Sequence, residues 1–113
     1  MNDTSSPPPC PERCELCGRA EAVLTRHHLI PRTRHANRRN KRDFARDEVR
    51  HRIAWLCLPC HKHIHAVLSE KEMEREFNTL EALRAQPEIA RFVAWLADKP
   101  PGFKPRGTPR RRR

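Results

Sequence analysis

Four of the five cysteines form two pairs with the spacing C-x-x-C, Cys14/Cys17 and Cys57/Cys60. A tight turn presents both thiolates of such a pair, and two pairs supply the four sulfur ligands of a tetrahedral zinc ion. Gly18 follows the first pair, where a glycine lets the backbone turn closely under a metal. The spacing therefore predicts a structural zinc site.

Two other uses of the cysteines remain open. A redox-active C-x-x-C is the alternative, although neither pair lies in the βαβ pattern typical of thioredoxin-like proteins. Cys10 is left over in a proline-rich stretch and is interpreted as a free thiol, or as a competing zinc ligand. No export signal is recognised, so we expect a reducing cytoplasm and no disulfides.

Four of the seven histidines have a spacing that suits a second metal. His61 and His65 are four residues apart, which places both imidazoles on one face of a helix. His27 and His28 are adjacent, and neighbouring side chains on a strand point to opposite faces. One of that pair could therefore bind a metal while the other addresses a water or a phosphate. Alternatively, the helical histidines could belong to a mixed cysteine and histidine zinc site.

Two short apolar stretches must bring these residues together. The stretch 22–30 predicts a first strand and 53–58 a second, and the polar segment 33–50 predicts a loop or short helical excursion. Pro59 is suited to the first turn of a helix that runs to about Leu68, because its missing N–H is not needed there. His35 and His63 are expected to face solvent or phosphate.

The following residues predict helices. Ser69 and Glu72 match a capping box, with an interruption expected near Asn78. Pro87 opens a last helix, whose apolar stripe is formed by Ile89, Phe92, Val93 and Leu96. Strands followed by helices indicate an α+β fold. The proline-rich ends, 1–11 and 99–113, are expected to be disordered.

The chain is small and basic, with 113 residues and a net charge of +10. No run approaches the roughly 20 apolar residues of a membrane span, so no membrane partner is expected. The balance is +7 over residues 26–52, +7 over 99–113 and −3 over 69–98. Excess positive charge favours a polyanionic partner such as DNA. The residues expected to contact its phosphates are Arg26, Arg32, Arg34, Arg38, Arg39, Lys41 and Arg42.

Three segments, taken in order, resemble the zinc-bearing branch of the HNH endonucleases. They are Cys14-Glu15-Leu16-Cys17-Gly18, then Leu24-Thr25-Arg26-His27-His28-Leu29-Ile30-Pro31-Arg32, then Leu56-Cys57-Leu58-Pro59-Cys60-His61-Lys62-His63-Ile64-His65. The resemblance covers about half of the chain. It implies a ββα-metal (His-Me finger) unit over about 12–68, clipped by the four-cysteine zinc. Helices over 69–98 would complete a domain spanning 12–98.

The resemblance also implies roles for the histidines. His27, His61 and His65 would bind one catalytic divalent ion, and His28 would be the general base that activates water. The implied reaction is hydrolysis of DNA, expected to be double-stranded, by nicking or double-strand cleavage that leaves a 5′-phosphate and a 3′-hydroxyl. Three imidazoles suit Zn²⁺, Ni²⁺ or Mn²⁺ as readily as Mg²⁺, so the ion stays open.

One position departs from the family pattern. Many relatives have an asparagine five residues before the third cysteine, where this chain has Arg52. His51 could replace it as a catalytic residue that supports the general base, and Asn37 and Asn40 are other candidates. The resemblance thus predicts a cytoplasmic, nucleoid-associated DNA endonuclease of bacterial or phage type. The alternatives are a non-catalytic zinc-ribbon module that binds nucleic acid, or an interaction protein whose acidic helices dock a partner.

Overall fold

A computed structural model describes residues 8–21 and 23–105 of the 113-residue chain. Two strands and a set of mostly short helices form the architecture, which confirms the α+β class. The elements are β1 (Thr25–His28), a 3₁₀ turn (Arg32–Arg34), α1 (Arg38–Asp43), α2 (Arg46–His51), β2 (Ile53–Leu56), α3 (Leu58–Val67), α4 (Glu70–Arg75), α5 (Leu80–Ala85) and α6 (Pro87–Ala97). The disorder predicted for 1–7 and 106–113 lies outside the described residues.

The two strands pair antiparallel, with Thr25 opposite Leu56 and His28 opposite Ile53. Side chains alternate across the pair, so His27 is buried on the inner face, while Arg26 is exposed on the outer face. The first strand is shorter than predicted from 22–30, because the chain leaves the sheet after His28 and enters the 3₁₀ turn.

The segment between the strands contains two helices of six residues each in addition to the 3₁₀ turn. The side chain of Asn37 accepts from the backbone N–H groups of Arg39 and Asn40 and so caps α1. This segment is therefore a short helical excursion, which was one of the two forms expected for it.

Three features predicted for the C-terminal helices are confirmed. The capping box is present, because Ser69 and Glu72 bond each other's backbone N–H groups at 2.8 and 3.1 Å. The helical conformation is interrupted between α4 and α5, and Thr79 caps the helix that follows. The last helix begins at Pro87, and Gln86 caps it by accepting from Ile89 N–H.

The core joins β2 and α3 to the C-terminal helices, and it includes the four paired cysteines. Its largest fully buried apolar side chains are Ile30, Leu56, Ile64, Leu68, Met73, Leu83, Ile89 and Leu96. His63 also lies inside, stacked on the Phe92 ring with centroids 4.0 Å apart. The expectation that His63 faces solvent or phosphate is wrong, because this ring fills the contact between α3 and α6.

Packing continues past residue 98. Phe103 is half-buried against the core, and the Gly102 N–H donates to Glu21 Oε2 at 3.0 Å. Residues 99–105 are thus held on the domain by specific contacts. Among the described residues, no helix combines the length and the apolar character needed to cross a bilayer.

Candidate metal centres

The first cysteine pair lies in a tight turn before β1. The Cys14 N–H donates to the Arg19 carbonyl, and the Gly18 N–H donates to the Cys14 carbonyl, both at 3.0 Å. Gly18 has φ +80°, and a Cβ there would meet no atom within 4 Å. The glycine is therefore required by the backbone angle rather than by space. The second pair lies at the start of α3, where Cys57 directly precedes the helix and Cys60 is in its first turn.

The turn and the helix start meet, so that the four sulfur atoms lie within 4.8 Å of one another. The Cys17 and Cys57 sulfurs are 3.7 Å apart. Sulfurs bound at about 2.3 Å to one tetrahedral zinc are separated by about 3.8 Å, so this edge already fits the ion. The four buried cysteines could hold a structural metal such as zinc. Cys10 is exposed and lies outside the group.

The four thiols cannot all ionise together without a cation. Hydrogen bonds from Cys17 and the second pair hold the pKa of Cys14 far below its usual range. The pKa of Cys17 is lowered to about 6: Cys14 raises it, but hydrogen bonds from Cys57 and Cys60 outweigh that effect. The contact with Cys14 raises the pKa values of Cys57 and Cys60. A divalent cation would allow all four to bind as thiolates.

A buried arginine lies beside this site. Arg19 is 5% exposed, and its Nη2 is 3.7 Å from the Cys57 sulfur. The same guanidinium pairs with Glu21 at 3.2 Å and donates to the Pro100 carbonyl at 2.8 Å. A zinc ion with four thiolates has a net charge of −2, which a neighbouring guanidinium partly offsets. Sequence reasoning missed Arg19, although a basic residue directly after Cys-x-x-Cys-Gly is a usable signal.

The second cluster contains the three histidines that the resemblance implied as ligands of a catalytic ion. One ring nitrogen each from His27, His61 and His65 lies within 4.8 Å of the others. Strand β1 supplies the first ligand from its inner face, and α3 supplies the other two from successive turns. His27 is fully buried, whereas His65 is exposed, so the cluster opens toward solvent. A catalytic metal site needs such an open side for water and substrate.

Both ring nitrogens of His27 are buried and without a hydrogen-bond partner among the described residues. An unpaired buried polar atom costs about 1–3 kcal/mol, so a cation at this position would relieve an unfavourable arrangement. Burial lowers the pKa of His27 to about 3 and that of His61 to about 4. Burial also lowers the pKa of His65. All three rings are therefore neutral at neutral pH and have a lone pair to offer.

His28 lies beside this cluster but not in it. Its ring centroid is 6.2 Å from that of His35, on the side of the strand opposite to His27. Burial, together with the charges of Arg32 and Arg26, lowers the pKa of His28. The ring is therefore neutral at neutral pH and able to accept a proton.

Three residues were expected as possible replacements for the family asparagine that supports the general base, and they lie in different places. His51 ends α2 and is half-buried, two residues before Ile53, which pairs with His28. Asn37 is occupied as the cap of α1. Asn40 is fully buried, and its Nδ2 donates to Glu74 Oε2 at 2.6 Å. Of the three, His51 is the one next in sequence to the strand that pairs with β1.

Glu74 is a buried acid that organises the segment between the strands. Its Oε1 accepts from Arg34 Nε and Arg75 Nε, both at 3.1 Å, and its Oε2 accepts from Asn40. Arg46 extends the network by donating to the side chain and the carbonyl of Asn40 at 3.0 Å. Arg34, expected at phosphate, thus holds the 3₁₀ turn to α4.

The other basic residues that were expected to contact DNA phosphates are all exposed. Two of them, Arg39 and Arg42, lie 3.6 and 3.3 Å from Asp43. Four make no ion pair within the part of the chain that the structure describes: Arg26, Arg32, Arg38 and Lys41. Of these, Arg26 lies over the Trp55 ring, 5.4 Å from its centroid.

A curated relative is similar to this chain over most of its length. The uncharacterized protein YisB of Bacillus subtilis (strain 168) is 41% identical over 88 residues, which are 78% of this chain and 76% of YisB. The chain belongs to the YisB family. No family model matches the chain, and no solved structure matches it. Because YisB is itself uncharacterized, a function for this chain has to be argued from its residues.

Sequence reasoning missed one more residue at the histidine cluster. Thr25 Oγ1 lies 2.8 Å from His61 Nδ1 and 2.8 Å from the Leu56 carbonyl oxygen. The available signal was the sequence Thr25-Arg26-His27, because residues two apart on a strand lie on the same face.

Proposed function

We propose that this protein is a metal-dependent endonuclease of the HNH type that hydrolyses phosphodiester bonds of DNA. The observation that carries the proposal is the grouping of His27, His61 and His65, with the unpaired nitrogens of His27 inside it. His28, the next residue on β1, is close enough for its charge to lower the pKa values of His27 and His61. A protein that only binds nucleic acid does not need a second cluster of neutral imidazoles next to a four-cysteine site.

In this proposal His28 accepts the proton of a water molecule whose oxygen attacks the phosphorus. The bond from phosphorus to the 3′-oxygen breaks, and that oxygen takes a proton from solvent, which leaves a 5′-phosphate and a 3′-hydroxyl. A divalent ion bound by the three histidines would stabilise the added negative charge of the transition state and of the departing oxygen. Arg26 and Arg32, which are close enough to His28 to lower its pKa, would hold the phosphate beside it.

The test is a plasmid-nicking assay with Mg²⁺, Mn²⁺, Zn²⁺ or Ni²⁺ added in turn. We expect wild type to nick in the presence of at least one ion, and His28→Ala to lose at least about 100-fold in rate, as is typical when a general base is removed. DNA binding by the variant should survive, measured by gel shift. The nicks should be resealed by a DNA ligase without prior phosphorylation, because ligation requires a 5′-phosphate and a 3′-hydroxyl.

The alternative function, a zinc-ribbon module that only binds nucleic acid, predicts DNA binding without cleavage. Wild type that shifts DNA in a gel but leaves supercoiled plasmid intact with all four ions would support it over the nuclease.

A further inference from the structure

The side chain of Thr25 joins the strand pair to the histidine cluster. Thr25 lies opposite Leu56 in the antiparallel register and two residues before His27 on the same face of β1. Its hydroxyl oxygen is 2.8 Å from the Leu56 carbonyl oxygen and 2.8 Å from His61 Nδ1. Both distances are those of full hydrogen bonds.

Counting protons decides the direction of both bonds. A threonine hydroxyl has one hydrogen to donate, and a carbonyl oxygen can only accept. If the hydroxyl donated to the ring, two oxygen atoms would face each other at 2.8 Å with no hydrogen between them. The hydroxyl therefore donates to Leu56 and accepts from His61, which means that His61 bears its proton on Nδ1.

A neutral imidazole with a proton on Nδ1 has its lone pair on Nε2. That nitrogen is then the ring atom of His61 available to an ion. In metal sites the partner of the second ring nitrogen commonly fixes the tautomer and orients the ring in this way.

We propose that Thr25 is a positioning residue that selects the Nδ1-protonated tautomer of His61 and so prepares Nε2 to bind a divalent ion. The inference rests on the three-histidine metal centre of the proposed function. It adds that the pairing of β1 with β2 sets the orientation of a ligand on α3, because the Leu56 carbonyl takes the only hydroxyl proton of Thr25.

The test compares Thr25→Val, which keeps the shape but removes the hydroxyl, with Thr25→Ser, which keeps the hydroxyl. Zn²⁺ alone is titrated calorimetrically into full-length protein that already holds one zinc at the cysteines. We expect the second Zn²⁺ to bind about 10- to 100-fold more weakly to Thr25→Val, and Thr25→Ser to stay within about threefold of wild type. Retention of the first zinc by each variant shows that the domain is folded.

Nitrogen NMR of the His61 ring gives a readout that needs no second ion. Wild type should show a protonated Nδ1 and an unprotonated Nε2, and Thr25→Val should lose that preference while Thr25→Ser keeps it. If wild type binds two zinc ions and Thr25→Val binds the second as tightly, the role of Thr25 is wrong while the metal centre stands. If wild type binds one zinc only, the three-histidine centre fails, and the role of Thr25 fails with it.

Discussion

At the scale of single residues, the four buried cysteines form a candidate metal site and also pack in the core. Their sulfurs lie within 4.8 Å of one another, and the same side chains belong to the hydrophobic core. A chain with 36% hydrophobic residues has little other material for a core, and a structural zinc supplies folding free energy directly. Replacing one of these cysteines should therefore lower the stability of the whole domain.

We expect Cys57→Ser to remove one zinc per chain and to lower the free energy of unfolding by about 3 kcal/mol or more, because structural zinc sites contribute on the order of 10 kcal/mol. Cys10→Ser is the matched control, since that cysteine is exposed and outside the group. Zinc content by mass spectrometry under native conditions and urea unfolding measure both effects. A Cys57→Ser protein that keeps wild-type stability and zinc content would contradict the structural role of the site.

The two candidate metal clusters could be predicted from the sequence because their chemistry is contained in residue type and spacing. Two C-x-x-C pairs and an i, i+4 histidine pair are recognisable without knowing the fold. The sequence offers a signal at Arg19 and at Thr25 but does not identify their partners, which are 38 and 36 residues further along the chain. Their roles exist only once the strands have paired and α3 has packed.

At the scale of elements, α4 holds the segment between β1 and β2 in place through Glu74. The carboxylate of this residue is fully buried, and each of its oxygens is bonded by a side chain from the segment between the strands. The short helices α1 and α2 are only six residues each, a length that is marginal for an isolated helix. These helices are therefore stabilised by tertiary hydrogen bonds and ion pairs rather than by a long apolar face. Without the apolar periodicity from which helices are usually predicted, the sequence indicated only a loop or a short helical excursion there.

We expect Glu74→Gln to lower the free energy of unfolding by about 3 kcal/mol, because it removes a buried charge from its partners and turns an amide N–H₂ toward a donor. Glu76→Gln is the control on the same helix end, where the side chain is exposed. Urea denaturation measures both. A change in Glu74→Gln as small as that of the control, within about 0.5 kcal/mol, would show that the network adds little stability.

At the scale of the whole molecule, the net charge overstates the exposed positive charge that could contact the DNA of the proposed function. Part of the +7 over residues 26–52 is used internally, by Arg34 on Glu74 and by Arg46 on Asn40. Free positive charge remains on exposed residues such as Arg38 and Lys41 of α1. If α1 faces the duplex, each of these two should neutralise one phosphate.

We expect the double variant Arg38→Gln/Lys41→Gln to bind DNA more weakly at every sequence and to reduce the slope of log K against log salt by about 1.8, since each phosphate contact contributes about 0.9. Arg91→Gln, an exposed cation on α6, is the control and should leave the slope unchanged. Fluorescence anisotropy on a labelled duplex at several salt concentrations gives the slopes. Equal slopes for the double variant and wild type would show that α1 does not contact DNA.

Helix α3 contributes candidate ligands to both clusters, with Cys60 in one and His61, the next residue, in the other. An ion in either cluster would fix the rotation of this helix about its axis, and with it the ligands of the other cluster. Thermodynamic linkage then requires reciprocity. The factor by which the first ion raises the affinity for the second equals the factor by which the second raises the affinity for the first. The two sites would thus fill cooperatively, and a chelator that empties the weaker one would loosen the hold of the protein on the tighter ion.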